Sequence, residues 1–557
     1  MSENTERDNT EKTPSRGFTQ RLLDGIETVG NKVPHPVLMF LYLIIGVIIL
    51  SHILWWAGVS VTEQIAVPVA VPAEREYYED TTQPGIVVPP DGYTTDYEIQ
   101  ERTIAIQSLL TVEGIRFLFS SFVGNFQGFG VVAVTFIAMM GAGVAEASGL
   151  MSALIRMLVQ VAPRRLIAFI IIFVGVLSSV ASDAGYLILI PLGAAAFVSL
   201  KRHPLAGMAA AFAGVSAIFG VNALITPIDS MLTEITNEAI ALAGGEPITI
   251  VANYFFSVGA SLAMAIVATV VTERVVEPRL GEYRADDAAV APLDAIEDDD
   301  DGLSDAERRG LRFTTYASIA FLVFISLLTF LPNAPLRHPE TGSIVGNTPF
   351  MDSLLFIITL YFLIAGIAFG RGAGTITSSD EVIAAVTKTF SGLAGLVFML
   401  LMISQFIAYF NYTNMPTVAA VSMADLLERS NVGALPLLVG MIVVIMLLNI
   451  IIPGVVPKWA IFAPVFIPIF MRLGVAPQTV LAAYRVGDSP LNVMTPLMVY
   501  LPFVVTVAQR YQKDAGLGTV VALMLPYSVA IALAWILFFI VWFLLGIPLG
   551  PGYPVGA

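Results

Sequence analysis

The sequence predicts an all-α integral membrane protein of about nine transmembrane helices and two re-entrant hairpins, arranged as an inverted repeat. Three observations carry that prediction. Of 557 residues, 56% are hydrophobic and only 13% charged, with a mean hydropathy of +0.81, whereas an ordinary soluble domain is about 25% charged. The apolar residues gather in runs long enough to cross a bilayer. Two further runs are too long for one crossing and are interrupted near their middles by small and polar residues.

A helix needs about 20 apolar residues to cross the hydrocarbon core. Residues 1–35 are polar and read as a cytoplasmic tail. Pro36 to Gly58 is too long for a signal peptide and lacks a small-residue cleavage site, so it should remain as an anchor. The first membrane half runs over 36–275, with further spans at Phe126 to Val144, Leu205 to Ile228 and Ile250 to Thr272 and a hairpin near 166–200. An acidic cytoplasmic linker is expected over 276–312, and its run Asp298-Asp299-Asp300-Asp301 reads as solvated chain. The second half, 313–557, holds spans at Phe313 to Leu331, Met351 to Gly370, Thr389 to Phe410, Val480 to Val505 and Thr519 to Leu545, with a hairpin near 435–471.

Charge placement tests this count, because Lys and Arg near span ends concentrate on the cytoplasmic side. With the N-terminus inside, Arg16, Arg21 and Lys32 are cytoplasmic and the acidic segment 59–102 is outside. If each hairpin enters and returns, Arg156, Arg164, Arg165, Lys201, Arg202, Arg274, Arg308, Arg309, Arg371, Lys388, Arg510 and Lys513 all fall inside. A single crossing at either hairpin would invert the pattern downstream. The chain therefore reads as a multi-pass protein of the lipid bilayer with its N-terminus in the cytoplasm; the membrane expected for it is a bacterial-type inner membrane.

Composition also excludes. There are no cysteines, which removes disulfides, thiolate metal sites and cysteine nucleophiles. The net charge of −15 argues against nucleic acid as partner.

The two hairpins open from opposite faces, as an inverted repeat requires, and their sequences echo each other. In the first, Tyr186 precedes Pro191 by five residues; in the second, Trp459 precedes Pro464 by five. Downstream, Thr226-Pro227 and Thr495-Pro496 lie inside apolar spans. Proline there removes a backbone donor and breaks the helix. In lipid, the freed groups are tolerated only where they face protein, water or a ligand. Paired hairpins and broken helices point to a secondary transporter.

Ionisable groups inside the membrane cost about 2.5–3.5 kcal/mol on insertion scales and are functional by default. Asp183 stands at the first tip among Ser178, Ser179 and Ser182, a set of oxygen donors suited to a sodium ion or to a protonatable carboxylate; a tip cap is the alternative. Asn222 and Thr226, at the first break, join Ser179, Ser182 and Asp183 as the candidate ion-coupling set. At the second tip Lys458 adjoins Trp459, whose ring could stack on a planar substrate or simply pack the hairpin. Arg485 and Asp488 share a helix face before the break at Asn492 and Thr495, either to bind a carboxylate or to neutralise each other. Half-helix amide ends favour anions as well. Asp229 and Glu234 read as the solvated end of the first broken helix.

Gly30-Asn31-Lys32-Val33-Pro34-His35-Pro36, Ser182-Asp183-Ala184-Gly185-Tyr186, Pro457-Lys458-Trp459-Ala460 and Tyr484-Arg485-Val486-Gly487-Asp488-Ser489-Pro490 resemble the p-aminobenzoyl-glutamate transporter (AbgT) family over nearly the whole chain. The resemblance implies nine spans with two hairpins, a homodimer, and cation-coupled movement of p-aminobenzoyl-glutamate, with some members exporting sulfonamide antimetabolites. It places functional residues at Asp183, Trp459, Pro477, Arg485, Asp488 and Pro496. One departure is the second tip, Pro453-Gly454-Val455-Val456-Pro457, which lacks the family's serines and offers fewer hydroxyls for a second ion.

The expectation is a cation-coupled carrier, with no cofactor beyond a candidate Na+, for a small anionic aromatic solute. Its substrate-binding set is Asp183, Trp459, Pro477, Arg485, Asp488, Asn492 and Pro496, so the first half reads as the ion half and the second as the substrate half. A sodium-coupled dicarboxylate carrier is the alternative within transporters. An intramembrane hydrolase is the alternative outside them, though no His-rich or Gly-x-Gly-Asp signature accompanies the aspartates.

Overall fold

The computed structural model describes residues 36–72, 93–160, 162–181, 185–283, 303–345, 348–430, 433–450, 452, 454–495 and 498–556. Among these, eight helices are long and apolar enough to cross a membrane. The first helix, α1 (Pro36–Trp56), shows why. Phe40, Ile44, Val47 and Ser51 recur at helical spacing and are buried, while Leu41, Ile45, Ile49 and Ile53 on the other side stay exposed. A helix apolar all round with one face uncovered suits lipid and not water.

The chain then forms a two-stranded antiparallel ribbon, β1 (Ser60–Pro72) and β2 (Tyr93–Ala105), paired from Ser60 opposite Ala105 to Pro72 opposite Tyr93. This is an addition to the expected helical fold, and alternation at Val67, Val69 and Val71 is its signal. The short helices α2 (Val112–Ser120) and α3 (Phe122–Gln127) lead into α4 (Val131–Ala147) and α5 (Leu150–Gln160).

The first expected hairpin is two helices, α6 (Ile167–Ser178) and α7 (Ile190–Ser199), joined through a 3-10 turn at Ser179–Ala181 and a π-turn at Gly185–Leu189. The first broken span follows. It consists of α8 (Pro204–Phe212) with a π-turn at Ala213–Ala217, a non-helical stretch over 218–226, and α9 (Pro227–Leu242). Pro227 occupies the first turn of α9, where its missing N–H costs nothing. The span α10 (Tyr254–Val271) continues through a π-turn at Thr272–Val276 into α11 (Glu277–Leu280).

Residues 284–302, including the Asp298 to Asp301 run, lie outside the described residues. The next helix, α12 (Asp305–Phe330), starts earlier than the expected residue 313 because Ser304 and Glu307 form a capping box. Then come α13 (Pro349–Asp352), α14 (Leu354–Ala373), α15 (Ser379–Gly392), α16 (Ala394–Tyr412) and α17 (Met415–Ser430). The second expected hairpin is α18 (Ala434–Leu448) and α19 (Val455–Arg472). The second broken span is α20 (Pro477–Asp488), turns over 489–495, and α21 (Leu501–Tyr511), followed by α22 (Leu517–Leu544).

Packing crosses between the halves. Helix α9 lies on α19, α10 on α22, and α4 on α14, while α18 and α20 pack on each other within the second half. Each half thus covers the other's irregular backbone, which is the condition for keeping such backbone inside a membrane.

Candidate functional site

At the first break, Asn222 stitches the chain to the first hairpin. Its side-chain amide donates to the Val176 carbonyl at 2.8 Å and to Ser179 Oγ at 2.8 Å, while its carbonyl accepts from Leu224 N at 2.8 Å. Ser178 and Ser179 turn their hydroxyls to the carbonyls of Gly175 and Val176, at 2.7 and 3.1 Å. Gly185 packs so closely on Ser178 that a Cβ would stand 2.2 Å from its Oγ.

Thr226 goes elsewhere. Its N–H and hydroxyl donate to Asp229 Oδ2 at 2.7 and 2.8 Å, forming the reciprocal cap of α9. The expected ion set therefore divides: Ser179 and Asn222 meet, Thr226 faces Asp229, and Ser182 and Asp183 lie outside the described residues.

The second break is built around two buried ion pairs. Lys458 Nζ is 2.8 Å from Asp488 Oδ1, with side chains 0% and 2% exposed. Lys458 also donates to Asn449 Oδ1, and Asn449 Nδ2 donates to Asn492 Oδ1 at 2.7 Å. Thr495 Oγ1 donates to the Ile450 carbonyl at 3.1 Å. This chain of bonds joins the second hairpin to the second break. The other pair is Arg485 Nη1 to Asp229 Oδ1 at 2.6 Å, with Nη1 also donating to the Gly220 carbonyl at 3.1 Å. Ser489 Oγ accepts from Gly220 N at 2.7 Å, so the two breaks meet directly.

One of the two readings open for Arg485 and Asp488 falls away here, and the expectation for Asp229 is corrected. Arg485 and Asp488, although three residues apart, do not pair with each other; each finds a partner on another helix. Asp229 is not a solvated helix end but is buried. An unpaired charge in this setting would be costly, and each charge has a partner of opposite sign.

Trp459 is fully buried. Its ring stacks on Tyr484 at a centroid distance of 4.4 Å, and Nε1 donates to Thr236 Oγ1 at 2.9 Å. Pro477 occupies the first turn of α20. Pro496 lies outside the described residues.

Between both tips and both breaks lies a cavity of about 540 Å³, within the usual range for small-molecule sites, about 300–1,000 Å³. Ser179, Asp488, Asn492 and Thr495 supply polar groups to it, while Tyr186, Phe219 and Tyr500 supply rings. Tyr186 and Tyr500 stack at 4.3 Å with their planes 12° apart, linking the first hairpin to the second break. Among the described residues, no group of three or more His, Asp or Glu side chains gathers to hold a metal.

Hairpins and breaks enclosing one cavity are a carrier's arrangement, and the comparisons say which kind. Residues 21–556 match the AbgT transporter family.

The chain belongs to the AbgT transporter family.

Over 543 residues it is 31% identical to the p-aminobenzoyl-glutamate transport protein of Escherichia coli strain K12, covering 97% of this chain and 98% of that protein. Two solved structures are similar in fold. YdaH of Alcanivorax borkumensis, described as a transporter of unusual topology, matches with a TM-score of 0.80 at 36% identity, over 93% of this chain and all of that one. MtrF of Neisseria gonorrhoeae, described as illuminating a class of antimetabolite efflux pumps, matches with a TM-score of 0.82 at 34% identity, over 96% of this chain and all of that one.

In this AbgT-family transporter, sequence reasoning gave no site role to Phe219, Tyr186, Tyr500, Asp229 or the paired form of Lys458. Tyr186 carried a signal, its place beside the first tip. Lys458 carried one as well, an ionisable residue at the second tip, whereas the places of Phe219, Tyr500 and Asp229 depend on packing that local spacing does not encode.

Proposed function

We propose that the protein is a cation-coupled secondary transporter of p-aminobenzoyl-glutamate or a closely related aromatic amide, acting in the cell membrane with its N-terminus in the cytoplasm. The observation that carries this reading is the cavity, in which an aromatic wall from Tyr186, Phe219 and Tyr500 faces Asp488, Asn492 and Thr495. An aromatic amide with a polar end complements both surfaces. The similarity to the Escherichia coli p-aminobenzoyl-glutamate transport protein supports that solute, and the similarity to MtrF supports antimetabolites as further cargo.

Roles follow from placement. Ser179 and Asn222, with Ser182 and Asp183 at the same tip, form the coupling half, where a sodium ion or a proton exchanges. Asp488, Asn492 and the Arg485 region form the substrate half. Trp459 acts behind the cavity by holding Tyr484 and α9, and Pro477 sets the start of the second broken helix. The working unit is a homodimer, and the protein needs no cofactor beyond its coupling cation.

The test is transport of labelled p-aminobenzoyl-glutamate in proteoliposomes under imposed sodium or proton gradients. The wild type is expected to move the solute with one gradient, and Asp183→Ala and Asp488→Asn each to lower the rate at least about tenfold, 1.4 kcal/mol. No movement under either gradient sinks the substrate assignment; normal transport by both variants sinks the site.

A further inference from the structure

Arg485 has a resident ligand that its own helix does not supply. Asp229, from the first half, presents Oδ1 to Nη1 at 2.6 Å, while its Oδ2 is held by the backbone N–H and hydroxyl of Thr226. The α9 cap therefore orients the carboxylate toward the guanidinium. The engagement is incomplete. Both hydrogen bonds of the guanidinium to Asp229 and Gly220 leave from Nη1, and Nε is buried with no hydrogen-bond partner among the described residues.

A guanidinium has five donors in a fork that fits a carboxylate bidentately. Asp229 meets it through one oxygen, because the cap holds the other. A carboxylate free to turn could take two donors and satisfy more of the fork. Position allows such an exchange. Pro227, Ile228 and Met231, around Asp229 on α9, line the cavity. Asp488, three residues after Arg485 on α20, lines the same cavity, and the Asp229 side chain keeps 12% exposure against 3% for Arg485.

Resting on the reading of the cargo as a carboxylate, we propose that Asp229 is an internal competitor for Arg485, a positioning residue that holds the guanidinium between transport events and is displaced by the carboxylate of the arriving solute. The hydrogen bonds from Thr226 keep the displaced Asp229 from being left without partners. Asp229 thereby weakens binding and, in the same measure, returns Arg485 to its place when the solute leaves.

The experiment measures equilibrium binding of p-aminobenzoyl-glutamate, and of the same amide with both carboxylates as methyl esters, by titration calorimetry. Asp229→Asn keeps an acceptor for the cap but removes the charge. It should tighten the acid about tenfold, 1.4 kcal/mol, leave the ester unchanged, and lower KM; Asp229→Glu should restore wild-type affinity. If Asp229→Asn does not fold, Asp229→Ser, which can also accept at the cap, makes the same comparison. Equal or weaker acid binding in a folded variant overturns the proposal.

If the wild type does not bind the acid at all, the cargo assignment fails on its own, and phenylglyoxal labelling of Arg485 decides for Asp229. Faster labelling in Asp229→Asn than in wild type, with the other arginines as internal reference, supports the competitor role. Equal rates overturn it.

Discussion

Lys458 Nζ and Asp488 Oδ1 stand 2.8 Å apart with both side chains buried, fastening the second arm of the second hairpin to the last turn of the helix before the break. The pair joins two elements of the second half, the hairpin arm α19 and the broken-span helix α20. Its bonds extend through Asn449 to Asn492, so hairpin and break are tied by a continuous polar chain.

Removing one member leaves the other charged and buried, which costs about 3–5 kcal/mol. Lys458→Met and Asp488→Leu should each lower thermal stability in detergent. Lys458→Met combined with Asp488→Leu should cost less than the sum of the single losses, because it leaves no orphan charge. A fully additive double variant would show that the two residues act independently.

Trp459 donates to Thr236 across the halves while its ring lies on Tyr484. Trp459→Phe keeps the stacking and loses the hydrogen bond, worth about 1 kcal/mol; Trp459→Ala loses the packing too, about 3–5 kcal/mol. Thr236→Val should match Trp459→Phe, and their combination should be little worse than either. A double-mutant cycle read by thermal unfolding checks this.

Gly220 sits where the two breaks cross. An added Cβ would stand 2.6 Å from Ser489 Oγ and 2.7 Å from the Arg485 carbonyl oxygen. The hydroxyl can rotate away, but the backbone carbonyl cannot without moving α20. Gly220→Ala should therefore destabilise by about 1–3 kcal/mol, as overpacking does, and slow transport. Gly440, with open space around its Cβ position, is the control, and Gly440→Ala should leave both readouts near wild type.

His203 caps α8, its Nδ1 accepting from Leu205 N at 3.3 Å. Burial holds its pKa below the ordinary histidine value, opposed in part by Glu277. The unfolded chain therefore takes up the proton first as pH falls, so stability is full above about pH 6.5 and declines below it. Protonation also removes the Nδ1 acceptor. Thermal unfolding between pH 8 and pH 5 should show that decline in wild type and a smaller one in His203→Asn, since Asn also caps well.

Where the chain crosses or breaks was legible in the sequence because lipid enforces it. Apolar runs of sufficient length became α1, α10, α12, α14, α16 and α22, and Thr226-Pro227 marked the restart of α9. Partnership between charges was not legible. Arg485 and Asp488 share a helix face, yet Arg485 pairs with Asp229, 256 residues away. Such a choice is made by how the halves pack, which local spacing does not encode. Trp459 was found beside the tip, but the direction of its ring depended on Thr236 and Tyr484. The early start of α12 was readable in Ser304 and Glu307, and an apolar count alone missed it.

Each of the two ion pairs at the second break sums to zero charge: Lys458 with Asp488, and Arg485 with Asp229. Carried together through the bilayer, neither pair does work against the transmembrane potential, whereas each lone elementary charge would exchange about 2.3 kcal/mol per 100 mV. Among the described residues at this break, membrane voltage thus has no grip on the return stroke. Neither pair should therefore add to any electrical current measured during transport.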